Sequence, residues 1–242
     1  MVSDFLSNVE LYYTPASSVN GNELLISGEE HEHITRVMRH SVGDELYVTN
    51  GEGRIFLCAI SEIRKDHLTC EIHSERIYEN RLKNIYFCIS KLKSTDRFEF
   101  ALEKSVELGV TNFIVFDSRR SVPKGGKPER WQKVLISSMK QSLRSFLPKV
   151  TTKGSIAEIM ALSGEKIVFE QNSKLSFRNF RPREDRAYYF IFGPEGGLDE
   201  KELSMFREES SYFLTENRLR SETAVVTAAS VLSFNIQHPL AP

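Results

Sequence analysis

The spacing of apolar residues changes character part-way along the chain. Over Asn22–Ser27, Glu45–Thr49, Arg54–Ile60 and His67–Ile72 it alternates or runs in short pieces, which predicts strands. A helix, Glu29–Met38, falls between the first two, and Gly51-Glu52-Gly53 makes a turn. Further on the strands read as continuous apolar runs: Asn84–Ser90, Thr111–Phe116, Ile167–Phe169, Tyr188–Phe192 and Tyr212–Leu214. Helices are predicted among them at Phe98–Leu108, Trp131–Leu143 and Thr223–Phe234. The first of these buries Phe98, Ala101, Leu102 and Val106, and Gly109 stands where a left-handed residue ends a helix. The expected fold class is α/β, preceded by a small β domain. The boundary lies in the polar stretch Ser74–Arg81, giving domains 1–74 and 75–242.

Thr223–Phe234 is apolar or small almost all round. Such a helix has to be covered on more than one side. One side is the chain's own sheet, and the other predicts a two-fold partner, hence a homodimer.

Composition narrows the class. At 242 residues and 40% hydrophobic, the chain can bury one large or two modest cores. No apolar run approaches the roughly 18 residues of a membrane span, and no basic start leads into an apolar signal segment. Cys58, Cys70 and Cys88 are odd in number and sit among apolar residues, which reads as reduced core thiols in a cytoplasmic protein. His31, His33, His40, His67 and His73 match no metal-ligand spacing, so no metal is expected.

The net charge of −1 conceals an uneven distribution. Residues 1–80 carry 6 basic against 14 acidic side chains, whereas residues 81–150 carry 15 against 6. Between residues 118 and 150, Arg119, Arg120, Lys124, Lys127, Arg130, Lys133, Lys140, Arg144 and Lys149 are opposed only by Glu129. On the predicted helix Lys133, Lys140 and Arg144 share a face. A positive segment of this kind predicts contact with RNA phosphates, while Trp131 is read as core.

The chemistry concentrates in Tyr188–Thr223. A strand runs into Gly193-Pro194-Glu195-Gly196-Gly197, and Asp199 with Glu202 forms a capping box for a helix. Glycines allow a ligand close to the backbone. The turn lacks the GxGxxG and Walker spacings, and the Glu195 carboxylate repels phosphate. A ligand without phosphate, or one carrying positive charge, fits better. Arg218-Leu219-Arg220-Ser221-Glu222-Thr223 follows, ahead of a helix whose Ala224, Thr227, Ala228 and Ala229 permit close packing.

Gly-Pro-Glu-Gly-Gly, a helix of about a dozen residues, then Leu219-Arg220-Ser221-Glu222-Thr223-Ala224 resembles the RsmE family, ribosomal RNA uridine N3-methyltransferases of the SPOUT superfamily. The resemblance extends to His33–Arg39, Val42-Gly43-Asp44, Lys104–Val110, Arg120-Ser121-Val122, Arg130-Trp131 and Gln141–Arg144. It implies a C-terminal methyltransferase domain with a trefoil knot holding S-adenosylmethionine in a bent form, and an N-terminal PUA-like β-barrel that helps hold RNA. It implies cofactor contacts from Glu170, Gly193, Pro194, Glu195, Gly196, Gly197, Leu214, Leu219 and Thr223. His33, Arg36, Arg39, Arg97, Arg120, Arg130, Lys140 and Arg144 are the implied RNA contacts, on the 16S ribosomal RNA of the small subunit. Five positions depart from the family pattern: Leu11 for an arginine, Met38 for a leucine, Leu143 and Thr215 for glycines, and Asn217 for an arginine.

Uridine N3 carries a proton that must leave before or during attack on the methyl sulfonium. Arg220 is expected to stabilise the negative charge that develops on the uracil. Glu222 is expected to act as the base; orienting Arg220 or capping the helix are its alternative roles. Two other readings stay open: methylation at another RNA position such as a ribose 2′-OH, and an RNA-binding relative without catalysis.

Overall fold

The computed structural model describes residues 6–121 and 127–237. Val122 and Lys124 lie outside them. The chain divides into two compact units, Met1–Asn80 with Met139–Leu147, and Arg81–Ser138 with Pro148–Pro242.

The first unit contains β1 (Leu11–Tyr13), β2 (Val19–Asn20), β3 (Glu23–Ser27), α1 (Gly28–Glu32), β4 (Glu45–Thr49), β5 (Arg54–Ile63) and β6 (His67–Ile77). Its sheet has the order β1-β4-β5-β6-β3-β2. β1 runs parallel to β4, and the other pairs are antiparallel. The alternation seen in the sequence is the two-sidedness of this sheet. Leu24 and Ile26 of β3 turn inward to Tyr12, Ile34, Leu46, Val48 and Phe56, while Glu23, Leu25 and Ser27 stay exposed. β1 went unpredicted because Leu-Tyr-Tyr is too short to set a period.

The helix expected over Glu29–Met38 is divided. α1 stops at Glu32, and His33–Val37 forms a wider π-helical turn in which the Met38 N–H donates to the His33 carbonyl at 3.0 Å. The boundary expected after residue 74 falls inside β6, which pairs with β5 as far as Ile77. The predicted Gly51-Glu52-Gly53 turn admits the later segment Ser145–Leu147. Gly53 N–H donates to the Ser145 carbonyl at 2.9 Å, and Leu147 N–H to the Gly51 carbonyl at 2.8 Å. A Cβ on Gly53 would stand 2.6 Å from the Phe146 ring.

The second unit contains β7 (Ile85–Ser90), α2 (Thr95–Glu107), β8 (Asn112–Phe116), the start of α3 (Pro128–Gln141), β9 (Lys149–Lys153), α4 (Ile156–Met160), β10 (Glu165–Phe169), β11 (Leu175–Ser176), β12 (Tyr188–Phe192), α5 (Glu200–Leu203), β13 (Ser211–Phe213) and α6 (Ser221–Gln237). All seven strands are parallel, in the order β11-β13-β10-β12-β7-β8-β9. A parallel sheet is covered on both faces. That is why all five residues of β12 are buried and why its sequence reads as an unbroken apolar run.

α2 buries Phe98, Ala101, Leu102, Ser105 and Val106. Gly109 follows at φ +99°, with its N–H on the Val106 carbonyl. Trp131 is core, 6% exposed, with its ring 5.1 Å from that of Phe98. α5 starts on the expected capping box but has only four residues instead of about a dozen. The chain leaves helical geometry after it, and Leu203 and Phe206 pack against the apolar cluster around Val168 and Ile191. Residues 171–187, polar and loop-like in sequence, are anchored by Phe177. Its buried ring lies 4.9 Å from the Phe180 ring and 5.5 Å from the Phe190 ring. On α6, Val225, Ala228, Ala229 and Leu232 face inward, whereas Phe234 remains 69% exposed. Cys58, Cys70 and Cys88 are buried free thiols.

Candidate active site

Strand order reverses around β12. β7, β8 and β9 lie on one side of it, and β10, β13 and β11 on the other. In open parallel sheets the crevice beyond the carboxyl ends of the strands at such a point receives ligands. Here it holds a cavity of about 520 Å³ whose walls follow β10, β12 and β13.

The wall after β12 is the glycine turn. A Cβ on Gly193 would lie 3.0 Å from the Leu198 nitrogen, so a side chain there would press on the turn's own backbone. Gly197 takes φ +70°, and its N–H donates to the Pro194 carbonyl at 2.8 Å. Glu195 lines the cavity, yet its carboxylate accepts the Lys93 N–H at 3.0 Å and so joins the turn to the segment after β7. In the capping box Glu202 accepts the Asp199 N–H at 2.9 Å, and Asp199 accepts the Glu202 N–H at 2.7 Å.

The wall after β13 runs from Leu214 to Ala224. Thr215 stands where the family pattern has glycine, and its hydroxyl donates to the Asn217 carbonyl at 2.8 Å. A side chain thereby closes the bend locally. The Gln171 amide donates to the Glu216 carbonyl at 3.2 Å and ties this wall to the third, Phe169–Gln171. Glu170 is half-buried there, and burial pushes its carboxyl pKa up.

Arg97 and Arg220 both line the cavity. Glu222 is 8% exposed in the first turn of α6, where the helix dipole favours negative charge. One of its oxygens lies 3.6 Å from the Arg97 Nε, and the other is buried with no hydrogen-bond partner. Its ion partner is therefore Arg97 of α2, not the neighbouring Arg220 that sequence reasoning offered as the alternative.

Of the expected cofactor residues, Glu170, Gly193, Pro194, Glu195, Gly197, Leu214 and Leu219 line the cavity. Gly196 and Thr223 do not. Gly196 backs onto Arg120, and Thr223 is exposed on α6. Sequence reasoning missed Phe169, Phe192, Leu198 and Ser221 as lining residues. The phenylalanines end their strands beside the motifs, and that position was the available signal. Their rings lie 5.0 Å apart and nearly parallel.

Most of the expected RNA contacts are already engaged. Arg120 donates to the carbonyls of Gly196 and Leu198. Arg130 pairs with Glu99, with 2.7 Å between Nη2 and the carboxylate. Lys140 pairs with Glu30, and the two side chains are only 25% and 16% exposed. Arg144 lies beyond the end of α3 and is half-buried, which lowers its pKa. The helical face expected to join Lys133, Lys140 and Arg144 is thus broken by the helix ending at Gln141. In the first unit, His33 contacts Glu10 at 2.9 Å, Arg36 lies 3.3 Å from Glu32, and Arg39 has φ +59°. Among the described residues no cluster of His, Cys, Asp and Glu could hold a metal ion, and no helix is long and apolar enough to cross a membrane.

Two domain families match this chain. The one described as an RNA methyltransferase domain covers residues 79–233, and the one described as an RNA methyltransferase PUA domain covers residues 26–72. The Ribosomal RNA small subunit methyltransferase E of Bacillus subtilis is 30% identical over 232 residues, covering 88% of this chain and 90% of that protein. The protein of the same name from Aquifex aeolicus is 29% identical over 222 residues, covering 88% and 94%. The crystal structure of a Ribosomal RNA small subunit methyltransferase E from Neisseria gonorrhoeae, bound to S-adenosyl methionine, superposes with a TM-score of 0.80 at 27% identity, over 94% of this chain and 97% of that one.

Proposed function

The chain belongs to the RNA methyltransferase family of the ribosomal RNA small subunit methyltransferases E, and on that premise we propose that it methylates N3 of a specific uridine in the 16S ribosomal RNA of the small subunit. It is an S-adenosylmethionine-dependent ribosomal RNA methyltransferase with an N-terminal PUA-like domain. The observation that carries the finer reading is the cavity at the reversal of strand order, which has Arg97 and Arg220 in its lining and the buried Glu222 carboxylate beside Arg97.

The residues present fit the cofactor. The glycine turn presents Gly193 and Gly197 to the cavity without side chains, Leu198, Leu214 and Leu219 offer apolar contact to an adenine, and Glu170 offers a carboxyl group. No phosphate site is needed. When bound, S-adenosylmethionine supplies an electrophilic methyl on a positively charged sulfur. The backbone of residues 193–197 and 214–219 holds the adenosine. Arg220, exposed at the cavity wall, meets the negative charge that grows on uracil O2 or O4 as N3 loses its proton. Glu222, buried beside Arg97 and outside the residues that line the cavity, takes that proton once its unpartnered oxygen is turned toward the base. Pairing hides N3, so the base is taken out of its stack.

We further infer the trefoil knot in the chain around residues 193–224, RNA contact by the PUA-like domain through His33, Arg36 and Arg39, and a homodimer that covers the exposed Phe234 side of α6. A cytoplasmic location accords with a substrate in the ribosome. Calorimetry with S-adenosylmethionine, followed by nucleoside analysis of treated small subunits, tests the function. Cofactor binding together with 3-methyluridine is expected. A 2′-O-methyl nucleoside would move the target to ribose, and the absence of cofactor binding would leave an RNA-binding protein.

A further inference from the structure

The glycine turn and α5 form one continuous stretch, residues 193–203, and its internal bonds are few: Gly197 on Pro194, Leu203 on Asp199 and the capping box. Five further contacts reach it from other loops, and four of them come from two adjacent residues, Arg119 and Arg120, just beyond β8. The Arg119 N–H donates to the Glu202 carboxylate at 3.0 Å, and its Nε lies 3.6 Å from Asp199. Glu202 is 2% exposed, so its capping carboxylate is completed by a donor from another loop. The Arg120 guanidinium reaches two carbonyls of the turn through one nitrogen, Gly196 at 2.9 Å and Leu198 at 3.3 Å. A Cβ placed on Gly196 would touch the Arg120 side chain at 3.6 Å, so the arginine stem lies along that glycine. The fifth contact is the Lys93 N–H on Glu195.

Arg120 was expected from the sequence to bind RNA. Its guanidinium instead has two backbone acceptors in the glycine turn, Gly196 and Leu198, of which Leu198 lines the cavity. Carbonyl oxygens fixed in this way leave the amide groups of the turn directed elsewhere, and a turn containing Gly193, Gly196 and Gly197 has little local stiffness of its own. We propose that Arg120 is a positioning residue for the cofactor turn: it acts through the Gly196 and Leu198 carbonyls to hold residues 193–198 in the conformation that receives S-adenosylmethionine, and it makes no essential contact with RNA. The proposal rests on the methyltransferase reading for its ligand but not for its geometry.

The test compares wild type with Arg120→Ala and Arg120→Lys in the full chain. Amide hydrogen exchange over residues 193–198 without cofactor reads the turn itself. S-adenosylmethionine affinity and the KM–kcat split read the consequence, and small-subunit affinity across a salt series reads RNA contact. Exchange in the turn should accelerate in Arg120→Ala. Cofactor affinity should fall by about tenfold or more, appearing mainly as a raised KM, while small-subunit affinity and its salt slope hold. Arg120→Lys keeps the charge and a donor nitrogen on a stem one bond shorter, so it should show the same pattern in weaker form; it decides the matter if the alanine variant fails to fold. Unchanged exchange in the turn would overturn the proposal, and so would a lost unit of salt slope with cofactor affinity intact. If wild type bound no cofactor, the proposed function would fail, and the exchange arm would still decide the role of Arg120.

Discussion

Two stretches of this chain are rich in arginine and lysine, and the structure treats them differently. In residues 118–150, Arg119 lies near Asp199, Arg120 binds carbonyls, Arg130 holds Glu99 and Lys140 holds Glu30. In residues 214–224, Arg218 and Arg220 are exposed in the cavity wall and form no salt bridge among the described residues. The first stretch has more charge in sequence, and the second has more charge that is free to meet a ligand. A run of cations locates a positive segment, but carboxylates brought in from distant positions decide how much of that charge is available.

This contrast can be broken by substitution. The largest effect is expected at Arg220. Arg220→Ala should slow methyl transfer by about 10²-fold or more, the cost of losing a donor to developing charge. Cofactor affinity should change far less. Single-turnover rates and calorimetry measure the two, and an equal fall in both would make Arg220 a cofactor ligand instead.

Lys140→Ala should act on stability. It leaves Glu30 largely buried without its cation, at a cost of about 2 kcal/mol for this partly exposed pair. Denaturant unfolding should register that loss, while the salt slope of RNA binding stays unchanged. A flattened slope with unchanged stability would return Lys140 to the RNA surface.

Glu170→Gln probes the cavity from its acidic side. Burial raises the folded-state pKa of Glu170 above its unfolded value. The folded protein therefore holds the proton more tightly, and this carboxyl lowers stability as pH rises from the unfolded pKa through the folded one. Without cofactor, the glutamine variant should melt higher near neutral pH, by no more than about 2 °C, and the gain should vanish in acid. A lower melting temperature near pH 7 would contradict that sign.

The smallest effect concerns Leu143, which adopts φ +56° just past α3, where the family pattern has glycine. Leu143→Gly removes backbone strain of roughly 1 kcal/mol, partly offset by lost packing. Leu143→Val should be the worse of the two, since branching at Cβ suits that conformation poorly. Paired unfolding curves decide the order.

Much of the fold was legible in the residues. β4 and β12 have the predicted ends, and the α2 core positions and the Asp199–Glu202 capping box follow from local periodicity and spacing. Pairings between distant residues were not legible. Nothing near Glu222 in sequence points to Arg97, 125 positions away, and nothing near Arg120 points to the Gly196 carbonyl. The π-helical turn at His33–Val37 and the shortened α5 were missed for a related reason, since tertiary packing overrides the local helix signal there.

The central claim is that Glu222, buried beside Arg97, takes the N3 proton and that Arg220 in the cavity wall steadies the charge left behind. The direct test is single-turnover methylation of saturating small subunits from pH 6 to 9 with wild type, Arg220→Ala and Glu222→Gln, with nucleoside analysis of the product and melting curves alongside. The expected result is 3-methyluridine, an Arg220→Ala deficit at every pH, and a Glu222→Gln deficit that shrinks as rising pH deprotonates N3 in solution. Near-normal rates in both folded variants would contradict the account.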